Sequence, residues 1–179
     1  MRNNKGSSLI ELVIVMTIVL ILGLSLSLFI GTSSSANAYG AARKIASDIS
    51  YAQESAMSHR THYRLLFSNS PNSYTVQQCA VFGASSCTTW GNINDPSTNG
   101  FPFTVVMNSG SYAGVTIDWA TGFGGNYIEF SSAGVPMDGN TNASCTAAPC
   151  PLTASEAVTL NSVTRSVSVA PNTGATSIY

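Results

Sequence analysis

Glu11 is the single charged residue between Leu9 and Ile30, in a run of 22 mostly apolar residues. A carboxylate in such a setting is costly unless it reaches water or meets a cation, so its presence asks for a partner. The cysteines are the second reactive set. Cys79, Cys87, Cys145 and Cys150 fall in two close pairs, which suits disulfides and an oxidising compartment. Four cysteines allow three connectivities; proximity favours Cys79–Cys87 with Cys145–Cys150, and reduced buried thiols are the alternative. Neither pair has the C-x2-C spacing of a zinc knuckle. His59 and His62 stand three apart and could begin a metal site, but no Asp, Glu or Cys follows closely to complete it. Imidazoles near a helix C-terminus have a simpler role as complements to the helix dipole.

Catalysis has little to work with. Outside the apolar run, four Asp and three Glu are spread singly, with no close carboxylate pair and no G-x-S-x-G elbow. Gly122-Phe123-Gly124-Gly125 lacks the following Lys of a phosphate loop and precedes a strand-like run. Trp90 and Trp119 read as core or turn anchors. No enzyme, metal or cofactor is expected. The 7 Lys+Arg and 8 Asp+Glu of the 179 residues nearly cancel, leaving a net charge of -1 and no electrostatic footprint for nucleic acid. Charged residues make up 8% of the chain, about a third of the ~25% usual in soluble domains. That leans towards an exported or assembled protein.

The elements that must position Glu11 are helical. As a helix, Leu9 to Ile30 would measure roughly 33 Å, enough to cross a hydrocarbon core of ~30 Å. Arg2 and Lys5 precede it with no acid among residues 1–10, which places Met1 in the cytoplasm and the remainder outside. Residues 36–60 predict a second helix, with Ala41, Ala42, Ile45, Ile49, Ala52 and Ala56 on one face. No proline separates the two stretches, so the first helix is expected to run on into the second.

Past His62 the period changes to two. Tyr63–Phe67, Tyr74–Val81, Phe101–Met107, Val115–Trp119, Tyr127–Phe130, Ala157–Leu160 and Ser166–Ala170 predict about seven strands separated by turn clusters. The fold class is therefore α+β: a long N-terminal helix, half transmembrane and half packing, against an antiparallel β-rich domain.

Three readings compete for the N-terminus. Ala36-Asn37-Ala38 is an A-x-A-like site, so a secretory signal cut after Ala38 would release a β-rich protein. The 22-residue apolar stretch exceeds an ordinary signal core of 7–15, and a carboxylate sits inside it. A plain single-pass anchor explains the length but not Glu11.

The third reading rests on Lys5-Gly6-Ser7-Ser8-Leu9-Ile10-Glu11-Leu12, which resembles the processing signature of type IV prepilins. The resemblance implies cleavage by prepilin peptidase between Gly6 and Ser7, with N-methylation of Ser7, where Phe is the usual residue. Glu11 would then be the fifth residue of the mature chain, one helical turn from the new cationic amine. It implies pairing of Glu11 with the N-terminus of a neighbouring subunit during assembly.

The later order of elements resembles the GspH/FimT-type pseudopilins and minor pilins, particularly at Ala41–Ala56 and in the F-x-x-x-G element Phe130–Gly134. That implies a leader over 1–6, an assembly helix over 7–35 and a periplasmic pilin-like domain over 36–179, helical at 36–60 and β-rich at 61–179. It implies other pilin subunits, prepilin peptidase and the inner membrane as partners, in a type IV pilus or a type II secretion pseudopilus. The alternative within the family is a minor pilin whose β domain binds DNA or another ligand at a filament tip, and some FimT-type minor pilins take up DNA through a basic C-terminal motif resembling G-R-x-R. Here Gly174 is followed by Ala175 and Ser177 where the arginines would stand, and Arg165 is the only cation after Arg64, which argues against nucleic acid.

Overall fold

The computed structural model describes residues 9–30, 33–83, 85–121, 126–138, 150–152, 156–160 and 165–179; the side chains of 23–30, 33–35, 119–121, 138, 150 and 156 lie outside the description. The chain divides into two compact units, residues 1–36 and 37–179. In the first, α1 (Leu9–Ile30) is a helix with Glu11 in its first turn. A continuous helix joining α1 to the next element would pass through residues outside the description.

Helix α2 (Ser33–His59) carries the second unit's core face. Ala38, Ala41, Ala42, Ile45, Ile49, Ala52 and Ala56 recur at three- and four-residue steps, and each is fully buried. Five of these seven are alanines, and such short side chains let a helix axis approach a sheet closely.

Eleven strands follow among the described residues: β1 (Tyr63–Asn69), β2 (Asn72–Cys79), β3 (Trp90–Asn92), β4 (Thr104–Val106), β5 (Ile117–Thr121), β6 (Tyr127–Phe130), β7 (Pro136–Asp138), β8 (Cys150–Pro151), β9 (Glu156–Leu160), β10 (Arg165–Val169) and β11 (Thr176–Ile178). They form two antiparallel sheets. The larger runs β3-β2-β1-β6-β7-β8, with β4 also on β2; the smaller runs β11-β10-β9-β5. All seven expected strands form, and the count of about seven is corrected by β3, β7, β8 and β11. Each of those has only two or three residues, too few to establish a period-two pattern, and is defined by a longer neighbour.

The alternation does what the sequence pattern requires. In β1, Tyr63, Leu65 and Phe67 point into the core while Arg64 and Leu66 stand half-buried on the other face. The larger sheet adds Tyr74, Val76, Ile128 and Phe130; the smaller adds Ile117, Val158, Leu160, Val167 and Val169, and α2 completes one continuous cluster. Burying a side chain the size of Leu65 stabilises the fold by about 1.5–3 kcal/mol.

Two amides tie the sheets together. Asn72, the first residue of β2, donates through Nδ2 to the Val115 carbonyl at 2.7 Å and accepts through Oδ1 from the Ile117 N–H at 2.7 Å. Gln53 Nε2, on α2, donates to the Gly134 carbonyl at 2.9 Å and to the Thr173 carbonyl at 2.6 Å. Those carbonyls sit in the turns after β6 and β10, one in each sheet.

Candidate assembly and processing site

Glu11 lies in the first turn of α1 and is exposed. A carboxylate there is favoured by the partial positive charge of the helix N-terminus. Around it the surface is apolar: every large apolar side chain from Leu9 to Leu22 is at least 50% exposed. Water is a poor partner for such a surface, so α1 requires lipid or other protein to cover it. Among the described residues no helix is long and apolar enough to cross a membrane; the described side chains of α1 end at Leu22. Gly6 and Ser7, the expected cleavage pair, lie outside the described residues.

Of the two expected disulfides, Cys79–Cys87 is present, with the Cα atoms 5.8 Å apart, and it closes the loop between β2 and β3. Cys145–Cys150 falls outside the description, since Cys145 and the Cys150 side chain are not described.

The two histidines part company. His59 Nδ1 sits at the C-terminus of α2 within 3.0 Å of the Ser55 carbonyl and 3.2 Å of the Tyr63 hydroxyl. His62 is buried, its Nδ1 2.5 Å from Glu129 Oε1 on β6. Burial raises the Glu129 carboxyl above its ordinary range, against the opposing pull of His62 and of Arg64. Among the described residues no group of three or more His, Cys, Asp or Glu could hold a metal.

A second buried carboxylate belongs to Asp48, which accepts from Lys44 Nζ at 2.7 Å and from the Tyr74 hydroxyl at 2.6 Å. Burial lifts its pKa above the usual aspartate value, although both partners pull it down. Tyr74 is driven well above the ordinary phenol value, first by burial and then by the adjacent Asp48 charge. Trp90 lies under the Arg64 guanidinium, whose Cζ is 4.3 Å from the ring centroid. Arg64 Nε donates to Gln77 Oε1 at 2.8 Å. These groups are all held by neighbours within the domain, as structural polar networks are, and none lines up as nucleophile with base.

Gly174, the glycine of the degenerate tail motif, serves backbone geometry. Its φ is +69°, and a Cβ there would lie 2.5 Å from Gln53 Nε2 and 3.0 Å from Phe130. Gly134, the last residue of the F-x-x-x-G element, has φ +77°, and a Cβ would meet Met57 Sδ at 2.7 Å. Both turns dock on α2 because they lack a side chain.

Comparison with known families gives two matches. Residues 1–27 match the prokaryotic N-terminal methylation motif. Residues 41–173, well over half of the chain, match the type II transport protein GspH family. The chain belongs to the GspH family. No curated protein and no solved structure matches it. The GspH match spans α2 from Ala41 through β10 to Thr173, so both glycine-dependent turns on α2 begin within it. The methylation motif covers Gly6, Ser7, Glu11 and most of α1, the segment with the exposed apolar surface. This GspH-family protein is thus a pilin-like chain built on an apolar N-terminal helix and a two-sheet domain.

Proposed function

We propose that this GspH-family chain is a structural minor pilin or pseudopilin, made as a prepilin and built into a type IV pilus or a type II secretion pseudopilus. Prepilin peptidase cuts between Gly6 and Ser7, leaving α1 attached and freeing the Ser7 amine for methylation. The 22 residues of α1, uncharged but for Glu11, anchor the chain in the inner membrane, with the β-rich domain in the periplasm. On assembly, α1 exchanges lipid for neighbouring helices, and Glu11 pairs with a neighbour's N-terminal amine.

The observation that carries this reading is Glu11 itself: one carboxylate in the first turn of an exposed apolar helix, inside a match to the methylation motif. A carboxylate in a dry bundle needs a cation, and a cleaved N-terminus supplies one four residues away in each subunit. The competing cut after Ala38 fits the fold poorly. Ala36-Asn37-Ala38 lies inside α2, and Ala38 is fully buried in the core.

The test is the intact mass and N-terminal sequence of protein purified from its native membrane. A chain starting at Ser7, with or without a methyl group, supports prepilin processing. A chain starting at Tyr39 overturns it in favour of a secreted β-rich protein.

A further inference from the structure

Arg43 and Arg165 lie against one aromatic ring. Tyr39 and Arg43 are one turn apart on α2, and the Arg43 Cζ is 5.4 Å from the Tyr39 ring centroid. Arg165 begins β10, 122 residues later in the chain than Arg43, and brings its own Cζ to 5.8 Å from the same centroid. Tyr39 and Arg43 are exposed, and Arg165 is half-buried. The ion pairs among the described side chains are Lys44–Asp48 and His62–Glu129, so neither arginine has a carboxylate partner among them. Arg165 Nε is buried without a hydrogen-bond partner. Both guanidiniums thus lie against the Tyr39 ring without a described counter-charge, and an anion supplied from outside would provide one.

We propose that Tyr39, Arg43 and Arg165 form a binding site for the phosphate headgroup of an anionic lipid. Guanidinium forks match phosphate oxygens in shape and charge, and a tyrosine beside them has the amphipathic character of a membrane-interface residue. In sequence Tyr39 stands nine residues after the apolar stretch ends at Ile30. One headgroup needs only this one site, whereas duplex DNA at physiological salt needs many phosphate contacts, and the chain's net charge of -1 does not supply them. The proposal rests on α1 being a membrane anchor, and goes beyond it by assigning the periplasmic domain its own lipid contact.

The experiment uses the full chain purified in non-ionic detergent, with native mass spectrometry counting retained phosphatidylglycerol against phosphatidylcholine. Wild type is expected to retain phosphatidylglycerol preferentially. Arg43→Gln should weaken that preference about fivefold and Arg43→Gln/Arg165→Gln about thirtyfold, with phosphatidylcholine unchanged. Arg43 is exposed, so the single variant leaves the core intact, and Arg43→Lys should recover part of the preference. Equal retention of both lipids by wild type, or an undiminished preference in Arg43→Gln, overturns the proposal. So does a 20-base-pair DNA duplex that binds through the same arginines and displaces the lipid. Alkaline carbonate extraction of native membranes separates the two levels. Wild type released by carbonate overturns the anchor and the lipid site together, whereas retained protein without headgroup preference overturns the lipid site alone.

Discussion

Gly174 turns at φ +69° beneath the carboxamide of Gln53, so close that a Cβ would stand 2.5 Å from Nε2. The contact exists because Nε2 donates at 2.6 Å to the carbonyl of Thr173, the preceding residue. The same nitrogen reaches Gly134 in the other sheet's turn, so one side chain on α2 latches both sheets. Gly174→Ala therefore combines backbone strain with a clash and should destabilise the domain by about 1–3 kcal/mol. Gln53→Ala should cost about 1–3 kcal/mol by removing the donor to both carbonyls. The informative variant is the double one. Deleting the Gln53 side chain removes the clash, so the two losses should fall short of additive by at least about 0.5 kcal/mol in chemical denaturation. Strict additivity would mean that the latch is not a shared contact.

How much of this was legible in the sequence follows from reach. The β-branched and aromatic runs announced β1, β2, β4, β5, β6, β9 and β10, and the alanine-rich period marked the core face of α2. Glu11 stood out because its surroundings are apolar. Gln53 did not, because its partners lie 81 and 120 residues away. His62 looked like a helix-end imidazole, and its partner Glu129 is 67 residues distant. Arg165 read as an isolated cation until β10 brought it to Tyr39. Short strands such as Pro136–Asp138 carry no local pattern, since pairing with β6 and β8 alone makes them strands.

His62 and Glu129 form a buried pair whose halves are not equally dispensable. His62→Ala leaves the Glu129 carboxylate without its imidazole partner, at a cost of about 3–5 kcal/mol near neutral pH. Glu129 has a raised pKa, so protonation at lower pH should shrink the penalty. Adding Glu129→Gln to His62→Ala should recover part of the loss, since a neutral amide is easier to bury. Thermal unfolding by circular dichroism at pH 7 and pH 4.5 checks this. A penalty that grows on acidification would contradict it.

Asp48 makes a similar prediction with a definite sign. Burial raises its pKa in the folded state above the ordinary 3.8, so folding favours the protonated form. Its contribution is fully present below the unfolded value and is lost as pH rises through the folded one. Wild type gains this increment on acidification and Asp48→Asn does not. The melting temperature of Asp48→Asn minus that of wild type should therefore become more negative from pH 7 to pH 4. A difference that becomes less negative would show a folded-state pKa lowered by Lys44 and Tyr74 instead.

The Cys79–Cys87 bridge closes a short loop between β2 and β3, with a sequence separation of 8. Chain-entropy arguments give such a bridge about 2–3 kcal/mol. Cys79→Ser/Cys87→Ser should lower stability by about that amount in denaturant titration, while reductant should leave the double variant unchanged. Cys79 is buried and Cys87 is only half-buried, so a larger loss would point to the packing of Cys79 itself.

Glu11 separates anchoring from assembly. Replacement by Ala removes the one carboxylate of α1 and adds to its apolar surface, so membrane retention should persist or strengthen. The proposed cleavage after Gly6 should also persist, because the residues flanking that bond are untouched. On the proposed function, what is lost is the attraction between the carboxylate and a neighbour's amine in the dry core of a filament, where an unpaired ammonium is costly. The Glu11→Ala protein should therefore appear processed in membranes and fall at least tenfold in sheared filaments, the equivalent of about 1.4 kcal/mol per contact. Glu11→Gln should show most of the same loss, because an amide fills the space without the charge. Immunoblots of membrane and sheared fractions decide the matter, and normal incorporation of Glu11→Ala would remove Glu11 from the assembly mechanism.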